Sequence, residues 1–261
     1  MPRKARIDAP GALHHIIIRG IERKAIFKDN SDRDNFVERL GQIISQTDTG
    51  CYAWVLMTNH VHMLLKTGLA PIATVMRRLL TGYAVSFNRQ HQRHGHLFQN
   101  RYKSFLCEED LYLKELVRYI HLNPLRAKVV KDIKDLGIYR WCGHSALIGK
   151  AEADFQDTEY VLKSFGQSVR QARRAYESFV AQGIKHGRRL DLVGGGLLRS
   201  VGGWAELKEY RDLGIAVRKL GYKCSDVSKA MGVSAVTVSK AVCLGSELSE
   251  VDQIQKRMLD N

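Results

Sequence analysis

The chain of 261 residues is long enough to bury a hydrophobic core in one large domain or in two modest ones. Hydrophobic residues make up 44% of the sequence and charged residues 26%, a composition that excludes an intrinsically disordered protein. The 41 lysines and arginines outnumber the 27 acidic residues, and the net charge of +14 favours a polyanionic partner such as nucleic acid.

The cysteines and the apolar stretches exclude two further classes of protein. The five cysteines are an odd number, are widely scattered and form no C-x-x-C pair, which argues against a disulfide framework and against a structural zinc site. No apolar stretch approaches the length of a membrane span, and the basic start lacks the apolar run of a signal peptide. We therefore expect a protein of the reducing cytoplasm with no membrane partner.

Strand and helix patterns alternate through the first 150 residues. A strand at 13–20 precedes a helical pattern that Asn30 or Ser31 could cap, and two strands joined at Thr58 and Asn59 follow as a hairpin. A helix at 71–91, a segment with strand-like parts, and a helix that stops at Pro124 complete the series. This order predicts an α+β domain with an antiparallel sheet over residues 1–150.

The rest of the chain is predicted to be helical. Residues 151–204 read as a helical extension that ends in the glycine-rich linker "DLVGGGLLRSVGGW". Residues 205–261 contain the outline of a helix-turn-helix, with Gly232 in the turn and Ser234 as the cap of the second helix. Thr237, Ser239 and Lys240 would then face the major groove of DNA, although an ordinary helical hairpin is the alternative.

Two histidines stand one residue apart in the apolar run "NHVHMLL". Side chains at positions i and i+2 of a strand point to the same face, so His60 and His62 are expected to project together while Val61 points away. Two adjacent imidazoles are suited to binding one divalent metal ion. The alternative is one histidine satisfied within the core and one exposed to solvent.

A tyrosine and an asparagine stand four residues apart near the end of the helix before Pro124. The apolar stripe of this helix consists of Leu113, Leu116, Val117 and Ile120. Tyr119 lies beside the stripe, and Asn123 shares its face. The helix would thus present a phenol and an amide oxygen together, whereas the alternative is a boundary tyrosine and an asparagine that ends the helix.

Four segments, taken in order, resemble the single-tyrosine HUH transposases, and more closely the REP-associated tyrosine transposases among them. These segments are "NHVHMLL", "FNRQHQRHGHLFQNRYKS", "YIHLNPLRA" and "YRWCGHSALIG". The similarity covers about residues 10 to 150 and continues weakly to about residue 200. The segment "YRWCGHSA" departs from the pattern, because relatives more often have two serines after the tryptophan.

The resemblance implies a fold, a site and a reaction. The implied fold is the HUH nuclease fold, a ferredoxin-like antiparallel sheet with helices on one face, followed here by an all-α C-terminal region. His60, His62 and Asn123 would bind Mg²⁺ or Mn²⁺, and Tyr119 would attack a DNA phosphate to form a 5′-phosphotyrosine bond. His121 is a neighbour in sequence, but its spacing places it on another helix face. The second helical tyrosine, Tyr83, is assigned to packing or base stacking.

Basic side chains are concentrated between residues 88 and 103, where Phe98 and Tyr102 are interleaved with them. Basic groups can meet phosphates while aromatic rings stack on unpaired bases, although part of this segment is equally expected to be a solvated loop. The expected DNA contacts in this segment and in the basic N-terminal arm are Arg89, Arg93, Arg101, Lys103, Arg3, Lys4 and Arg6.

These features together predict a metal-dependent transposase or endonuclease that cleaves and rejoins single-stranded or hairpin DNA of repetitive palindromic elements. The expected location is the bacterial cytoplasm at the nucleoid, and the expected assembly is a monomer or a homodimer. The alternative is a regulator that binds DNA through the helix-turn-helix on a catalytically idle HUH scaffold. The presence of all four motif residues favours the enzyme.

Overall fold

The computed structural model describes residues 11–107 and 109–186 of the chain. The expected basic arm with Arg3, Lys4 and Arg6 lies outside the described residues. The same holds for the glycine-rich linker and for the expected helix-turn-helix with Thr237, Ser239 and Lys240.

A four-stranded antiparallel sheet lies at the centre of the fold. Its strands are β1 (Leu13–Arg19), β2 (Gly50–Met57), β3 (His60–Lys66) and β4 (Lys103–Cys107), in the spatial order β2-β3-β1-β4. Strand β3 pairs antiparallel with both β1 and β2, and the turn at Thr58 and Asn59 joins the predicted hairpin. Helices α1 (Asn30–Thr47) and α2 (Ile72–Gln90) complete a β-α-β-β-α-β order. This is the ferredoxin-like arrangement, and it confirms the predicted fold class.

The N-cap of α1 lies one residue before the first of the two expected caps. The cap of α1 is Asp29, whose carboxylate accepts a hydrogen bond from the backbone N–H of Asp32 at 2.9 Å. The prediction of Asn30 or Ser31 was therefore wrong, because both residues already lie in the first turn of the helix. A carboxylate at this position pairs with backbone N–H groups that would otherwise lack a partner.

The main hydrophobic core lies between α1, α2 and one face of the sheet. Its sheet side chains include Ile16, Ile18, Val61, Met63 and Leu65, and its helix side chains include Phe36, Leu40, Val75, Leu79 and Tyr83. These side chains are all but inaccessible to solvent. Because each buried large apolar side chain is worth about 1.5–3 kcal/mol, this layer holds α1 and α2 firmly on the sheet.

The opposite face of the sheet is covered by α3 (Glu109–His121), which packs on β2 and β3. The expectation of helices on one face only was therefore wrong. The buried side chains of Leu116, Val117 and Ile120 form the predicted apolar stripe of α3. A second helical layer follows because the strands carry apolar residues on both faces, as the buried residues of β2 show.

Pro124 begins a helix rather than ending one. Helix α3 ends at His121, and α4 (Asn123–Arg126) starts immediately afterwards with Pro124 in its first turn. A proline is tolerated there because its missing N–H would have no partner within the helix. Asn123 therefore lies at the start of the new helix, four residues after Tyr119.

The folded unit continues past residue 150. Helices α5 (Ile133–Ile138), α6 (His144–Leu147), α7 (Thr158–Lys163) and α8 (Val169–Gln182) follow α4. Two short 3₁₀ helices span Ile21–Arg23 and Gly183–His186. Residues 8–105 and 109–188, which include β1 to β3 and helices α1 to α8, belong to one compact unit. Among the residues described, no helix combines the length and the apolar character needed to cross a membrane.

Backbone hydrogen bonds attach the segment before α6 to the outer edge of the sheet. The N–H of Leu56 donates to the carbonyl of Trp141, and the N–H of Gly143 donates to the carbonyl of Trp54, each at 2.9 Å. The buried side chain of Gln156 accepts from Trp54 Nε1 at 3.0 Å. These contacts cover the open edge of β2 and fix the helical extension to the sheet.

Candidate active site

His60 and His62 project from β3 onto the face of the sheet that α3 covers. Their ring centroids lie 5.2 Å apart, while the intervening Val61 is buried in the core with α1 and α2. In the register of β1 and β3, His60 lies opposite Arg19 and His62 lies opposite Ile17. The structure thus brings the two predicted imidazoles together at one end of the central strands.

Each of these histidines has a protein partner on its Nδ1 atom. His60 Nδ1 lies 2.7 Å from Asn59 Oδ1, and His62 Nδ1 lies 3.0 Å from Nε2 of His15. His15 comes from β1 and is fully buried, with its ring stacked on that of His62 at 5.3 Å between centroids. The Nε2 atom of each β3 histidine is therefore the nitrogen left for another ligand.

Burial keeps both β3 histidines neutral near pH 7. Desolvation, followed by the nearby positive charge of Arg19, lowers the pKa of His60 from 6.5 to about 4. Desolvation also lowers the pKa of His62 well below its usual value, with further contributions from His15, His60 and Arg19. Neutral imidazole is the form that binds metal ions, so the site is ready for a cation without losing a proton first.

Tyr119 of α3 packs against the histidine cluster. Its ring centroid lies 5.9 Å from that of His62 and 5.9 Å from that of His15, and both pairs meet edge to face. The guanidinium carbon of Arg126 lies 5.3 Å from the centroid of the Tyr119 ring. The structure therefore places the predicted nucleophile beside the predicted metal ligands, and places a cation on the same ring.

Asn123 lies one turn beyond Tyr119, and its side chain is bonded to that turn. Its Nδ2 donates to the carbonyl of Tyr119 at 2.9 Å and to the carbonyl of Ile120 at 3.1 Å. This arrangement uses the amide nitrogen within the chain and leaves the oxygen as the atom for a further ligand. The side chain of Asn123 is half-buried.

Tyr83 lies in the main core, on the face of the sheet opposite Tyr119. It is 1% exposed, and its ring meets those of Phe36 and Phe27 at centroid distances of 5.1 Å and 5.6 Å. Its hydroxyl donates to the carbonyl of Ile26 at 2.5 Å, and burial raises its pKa. A tyrosine in this position packs and caps a loop, and it offers no accessible oxygen for attack.

The basic segment between α2 and β4 divides into an exposed and a buried part. Arg89, Arg101 and Lys103 are exposed, whereas Arg93 is half-buried against Asn88 and the ring of Phe87. Tyr102 is buried in the core, and Phe98 is partly buried against it. The burial of Tyr102 contradicts the expectation that its ring stacks on bases, whereas base stacking by Phe98 stays a prediction.

His121 is turned away from Tyr119 and belongs to a separate buried cluster. Its Nδ1 and the Nδ1 of His144 each lie 2.7 Å from the hydroxyl oxygen of Tyr176, which comes from α8. The hydroxyl can donate to one ring and accept from the other. Burial lowers the pKa of both histidines, that of His144 to about 4. This cluster joins α3, α6 and α8 to one another.

A second group of potential metal ligands lies elsewhere, between the start of α1 and the end of α2. Oxygen or nitrogen atoms of Asp29, Asp32 and His91 lie within 4.8 Å of one another. These atoms already have partners, because Asp29 caps α1 and Asp32 binds both the N–H of Lys28 and His91 Nε2. The group is thus explained by helix capping and by hydrogen bonds to Asp32.

Three residues near the site were not identified as site residues from the sequence patterns. His15 and Arg19 share one face of β1 by their spacing, and this face meets that of His60 and His62 across the β1–β3 pairing. Asn59 was assigned only to a turn. If β1 had been predicted to pair with β3, His15 and Arg19 would have been identified as neighbours of the histidine pair.

The donor atoms of the predicted ligands are of the kind that bind a divalent cation. Two neutral imidazoles present unshared Nε2 atoms, and Asn123 offers an amide oxygen one turn from Tyr119. A mixed nitrogen and oxygen set that does not fill the coordination shell suits Mn²⁺ or Mg²⁺ and leaves positions for substrate.

The sequence between residues 10 and 123 matches the family model described as "Transposase IS200 like". No curated protein matches the chain closely enough to count as a relative. One similar solved structure is that of a REP-associated tyrosine transposase bound to a REP hairpin, with 14% identity and a TM-score of 0.46. That similarity covers 59% of this chain and 90% of the other.

Another similar structure is that of a putative transposase from Deinococcus radiodurans R1, with 21% identity and a TM-score of 0.32. It covers 41% of this chain and 88% of the other. The family match includes β1 to β4 and continues through Tyr119 and Asn123. From residue 10 to residue 123, the chain is similar to the IS200-like transposases.

Proposed function

We propose that the protein is a metal-dependent, single-tyrosine DNA transposase that cleaves and rejoins single-stranded or hairpin DNA. The observation that carries this proposal is the meeting of His60, His62 and Tyr119 on one face of the sheet. The elements that hold these residues are far apart in sequence, so their proximity results from the packing of α3 on β3. The match to the IS200-like transposase model over residues 10–123 supports DNA as the substrate.

The ligand set of the proposed metal site consists of His60, His62 and Asn123. When bound, Mg²⁺ or Mn²⁺ would polarise a nonbridging oxygen of the scissile phosphate and orient that phosphate. The chain contributes neutral imidazoles, because burial lowers the pKa of both histidines. The packed ring of Tyr119 keeps bulk water from the imidazole edges on the α3 side.

Tyr119 acts as the nucleophile in the proposed reaction. Its phenolic oxygen forms a bond to phosphorus, and the bond from phosphorus to the 3′ oxygen of the preceding nucleotide breaks. The phenol gives up its proton to solvent, and the leaving 3′ oxygen takes one up. The products are a 5′-phosphotyrosine and a free 3′-OH. Because one phosphodiester replaces another, the reverse step rejoins strands without ATP.

Two basic residues lie beside the site, and further exposed basic residues would provide binding energy for the DNA backbone. Arg19 lies at the end of β1 opposite His60, and Arg126 lies over the Tyr119 ring. Arg89, Arg101 and Lys103 are exposed, and each phosphate that they neutralise would release a counterion. This predicts that DNA affinity falls steeply as the salt concentration rises.

The proposal extends to the ends of repetitive palindromic elements as substrate, to residues 205–261 as a helix-turn-helix domain, and to the nucleoid as the place of action. It is supported by the four-segment resemblance and by the net charge of +14. In this scheme the helix-turn-helix and the arm with Arg3, Lys4 and Arg6 bind duplex beside the cleaved strand.

Incubation of 3′-end-labelled hairpin DNA with the protein tests the proposal. With Mg²⁺ or Mn²⁺, we expect a labelled species on a denaturing gel that migrates with the protein and disappears after protease treatment. The species should not form in EDTA. Cleavage that leaves no protein-linked strand, or that proceeds equally in EDTA, would contradict a metal-dependent tyrosine mechanism.

A further inference from the structure

The hydrogen bond between Asn59 and His60 fixes which imidazole nitrogen carries the proton. The amide nitrogen of Asn59 donates to the carbonyl of Arg23 at 2.8 Å, so its oxygen is the end that faces His60. With the amide reversed, two carbonyl oxygens would oppose each other. Because Asn59 Oδ1 can only accept, His60 Nδ1 must donate, and Nε2 of the neutral ring keeps its lone pair.

The backbone holds Asn59 in the position that this bond needs. The N–H of Gly20 donates to the carbonyl of Asn59, and the N–H of Ile26 donates to the carbonyl of Thr58, each at 2.9 Å. These backbone hydrogen bonds, together with the Asn59 amide, connect the loop after β1 to the β2–β3 turn. The orientation of His60 is therefore fixed by a turn that backbone hydrogen bonds hold in place.

His15 occupies the corresponding position beside His62. Its Nε2 lies 3.0 Å from His62 Nδ1, and both side chains are buried. One nitrogen of this pair must donate and the other accept. A metal ion at His62 Nε2 requires the proton on Nδ1, and the lone pair of His15 Nε2 is then the acceptor. This is the usual arrangement of an outer partner that orients a metal-binding histidine.

We propose that Asn59 and His15 are positioning residues for the metal ligands: each accepts the Nδ1 proton of one β3 histidine and so directs its Nε2 to the ion. This inference rests on the proposed function, because that function supplies the metal ion. It goes further by assigning one outer partner to each imidazole. Neither residue touches the ion or the reacting phosphate in this arrangement.

Mn²⁺ binding to the full chain, followed by the electron paramagnetic resonance signal of the unbound ion, tests the assignment. Replacement of the acceptors by Asn59→Ala or His15→Leu should weaken Mn²⁺ binding by about 10- to 100-fold. Asn59→Asp and His15→Gln retain an acceptor atom in the same region, so each should recover most of the lost affinity.

His14 provides a matched control on the same strand. It is equally buried, but it lies on the opposite face and its Nδ1 is 3.0 Å from Ser104 Oγ. His14→Gln should leave Mn²⁺ affinity unchanged. The circular dichroism melting curve of each variant identifies any that fails to fold, and the acceptor-retaining variants then provide the comparison.

Nitrogen-15 spectra of histidine-labelled protein at saturating Mg²⁺ give a second readout that does not depend on affinity. We expect a protonated Nδ1 in both His60 and His62, with the two resonances assigned from the His60→Gln and His62→Gln variants. A protonated Nε2 in either ring would overturn the inference for that ring.

The outcomes separate this inference from the proposed function. If the wild-type chain binds Mn²⁺ and folded Asn59→Ala and His15→Leu variants bind it equally well, the positioning roles are wrong while the metal site stands. If acceptor-retaining variants bind as weakly as Asn59→Ala and His15→Leu, the roles are also wrong. If the wild-type chain binds no divalent cation, the metal requirement of the proposed function fails and the inference fails with it.

Discussion

The rings of His62 and Tyr119 meet edge to face, with centroids 5.9 Å apart and planes inclined at 79°. His62 belongs to a central strand and Tyr119 to a helix that packs on that strand through a buried apolar stripe. Because neither element can move without disrupting this packing, the phenol is held near the imidazoles before any substrate binds. Such preorganisation lowers the cost of bringing a nucleophile to a metal-bound phosphate.

Removal of either imidazole should abolish metal-dependent cleavage and leave most DNA affinity. His60→Ala and His62→Ala each remove one of few metal ligands, whereas the phosphate contacts are distributed over many basic side chains. Cleavage of labelled hairpin DNA and a filter-binding assay measure the two properties separately.

The control for this experiment is a substitution in the group formed by Asp29, Asp32 and His91. Asp29→Ser removes a carboxylate but keeps a side chain that can cap α1, so folding should be preserved. We expect normal cleavage by this variant. If Asp29→Ser lost metal-dependent cleavage while the His60 and His62 variants kept it, the metal would belong at the start of α1.

The role of Tyr83 can be tested by its effect on stability. Tyr83→Phe removes the hydroxyl that donates to the carbonyl of Ile26 and leaves that buried acceptor without this donor. The free energy of unfolding should fall by about 1–3 kcal/mol, while the yield of DNA adduct per folded protein stays the same. Urea unfolding measures the stability, and the adduct assay measures the reaction with DNA. If Tyr83→Phe lost the adduct but kept the wild-type stability, the assignment of Tyr83 to packing would be contradicted.

Stability should decrease as the pH falls from about 6.5 to about 4, with His144 as one cause. Burial lowers the pKa of folded His144 to about 4, whereas a histidine in an unfolded chain has a pKa of about 6.5. The unfolded state therefore binds the proton first, so stability is full above pH 6.5 and is lost as the pH drops through this window. The contribution of His144 amounts to about 3 kcal/mol at the acid end.

The variant His144→Asn checks this assignment. An asparagine amide can still pair with the Tyr176 hydroxyl from the former Nδ1 position but does not titrate in this range. Urea unfolding between pH 7 and pH 4 should show a shallower loss of stability for the variant. An identical pH dependence in both proteins would contradict the role of His144.

The helical extension should be required for folding of the domain that contains the sheet. Gln156 binds Trp54 Nε1 and the carbonyls of Tyr52 and Gly143, and Tyr176 binds two buried histidines. A chain that ends at residue 150 leaves these buried groups without partners, and each loss costs about 1–3 kcal/mol. A chain that ends at residue 188 keeps them all.

Thermal melting followed by circular dichroism distinguishes the two truncated chains. We expect a cooperative transition for the chain ending at residue 188 and none for the chain ending at residue 150. A cooperative transition of the shorter chain near that of the longer one would mean that the extension is an accessory part.

Sequence patterns were sufficient for most of the sheet and for the orientation of the histidine pair. The period of two in "HVHMLL" predicts that His60 and His62 share a face, and the structure places their rings 5.2 Å apart. The order of strands and helices likewise predicts the α+β class, since each element has a strong apolar period.

Patterns along one strand could not reveal partners that come from another strand. The contact between His15 and His62 depends on the antiparallel register of β1 and β3, which is set by the pairing of the whole sheet. The burial of Tyr102 was missed for a similar reason, because its neighbours in the core come from distant elements. Asn59 was assigned to a turn by its residue type alone.

Identification of the tyrosine that becomes attached to DNA tests most directly whether Tyr119 is the nucleophile. Trypsin would release Tyr119 in the peptide 119–126 and Tyr83 in the peptide 79–89, and each peptide contains a single tyrosine. After reaction with hairpin DNA and Mn²⁺, followed by nuclease and trypsin digestion, mass spectrometry should detect a nucleotide on peptide 119–126. The Tyr119→Phe variant should bind Mn²⁺ and DNA but yield no modified peptide. A nucleotide on peptide 79–89, or an adduct that persists in Tyr119→Phe, would contradict Tyr119 as the nucleophile.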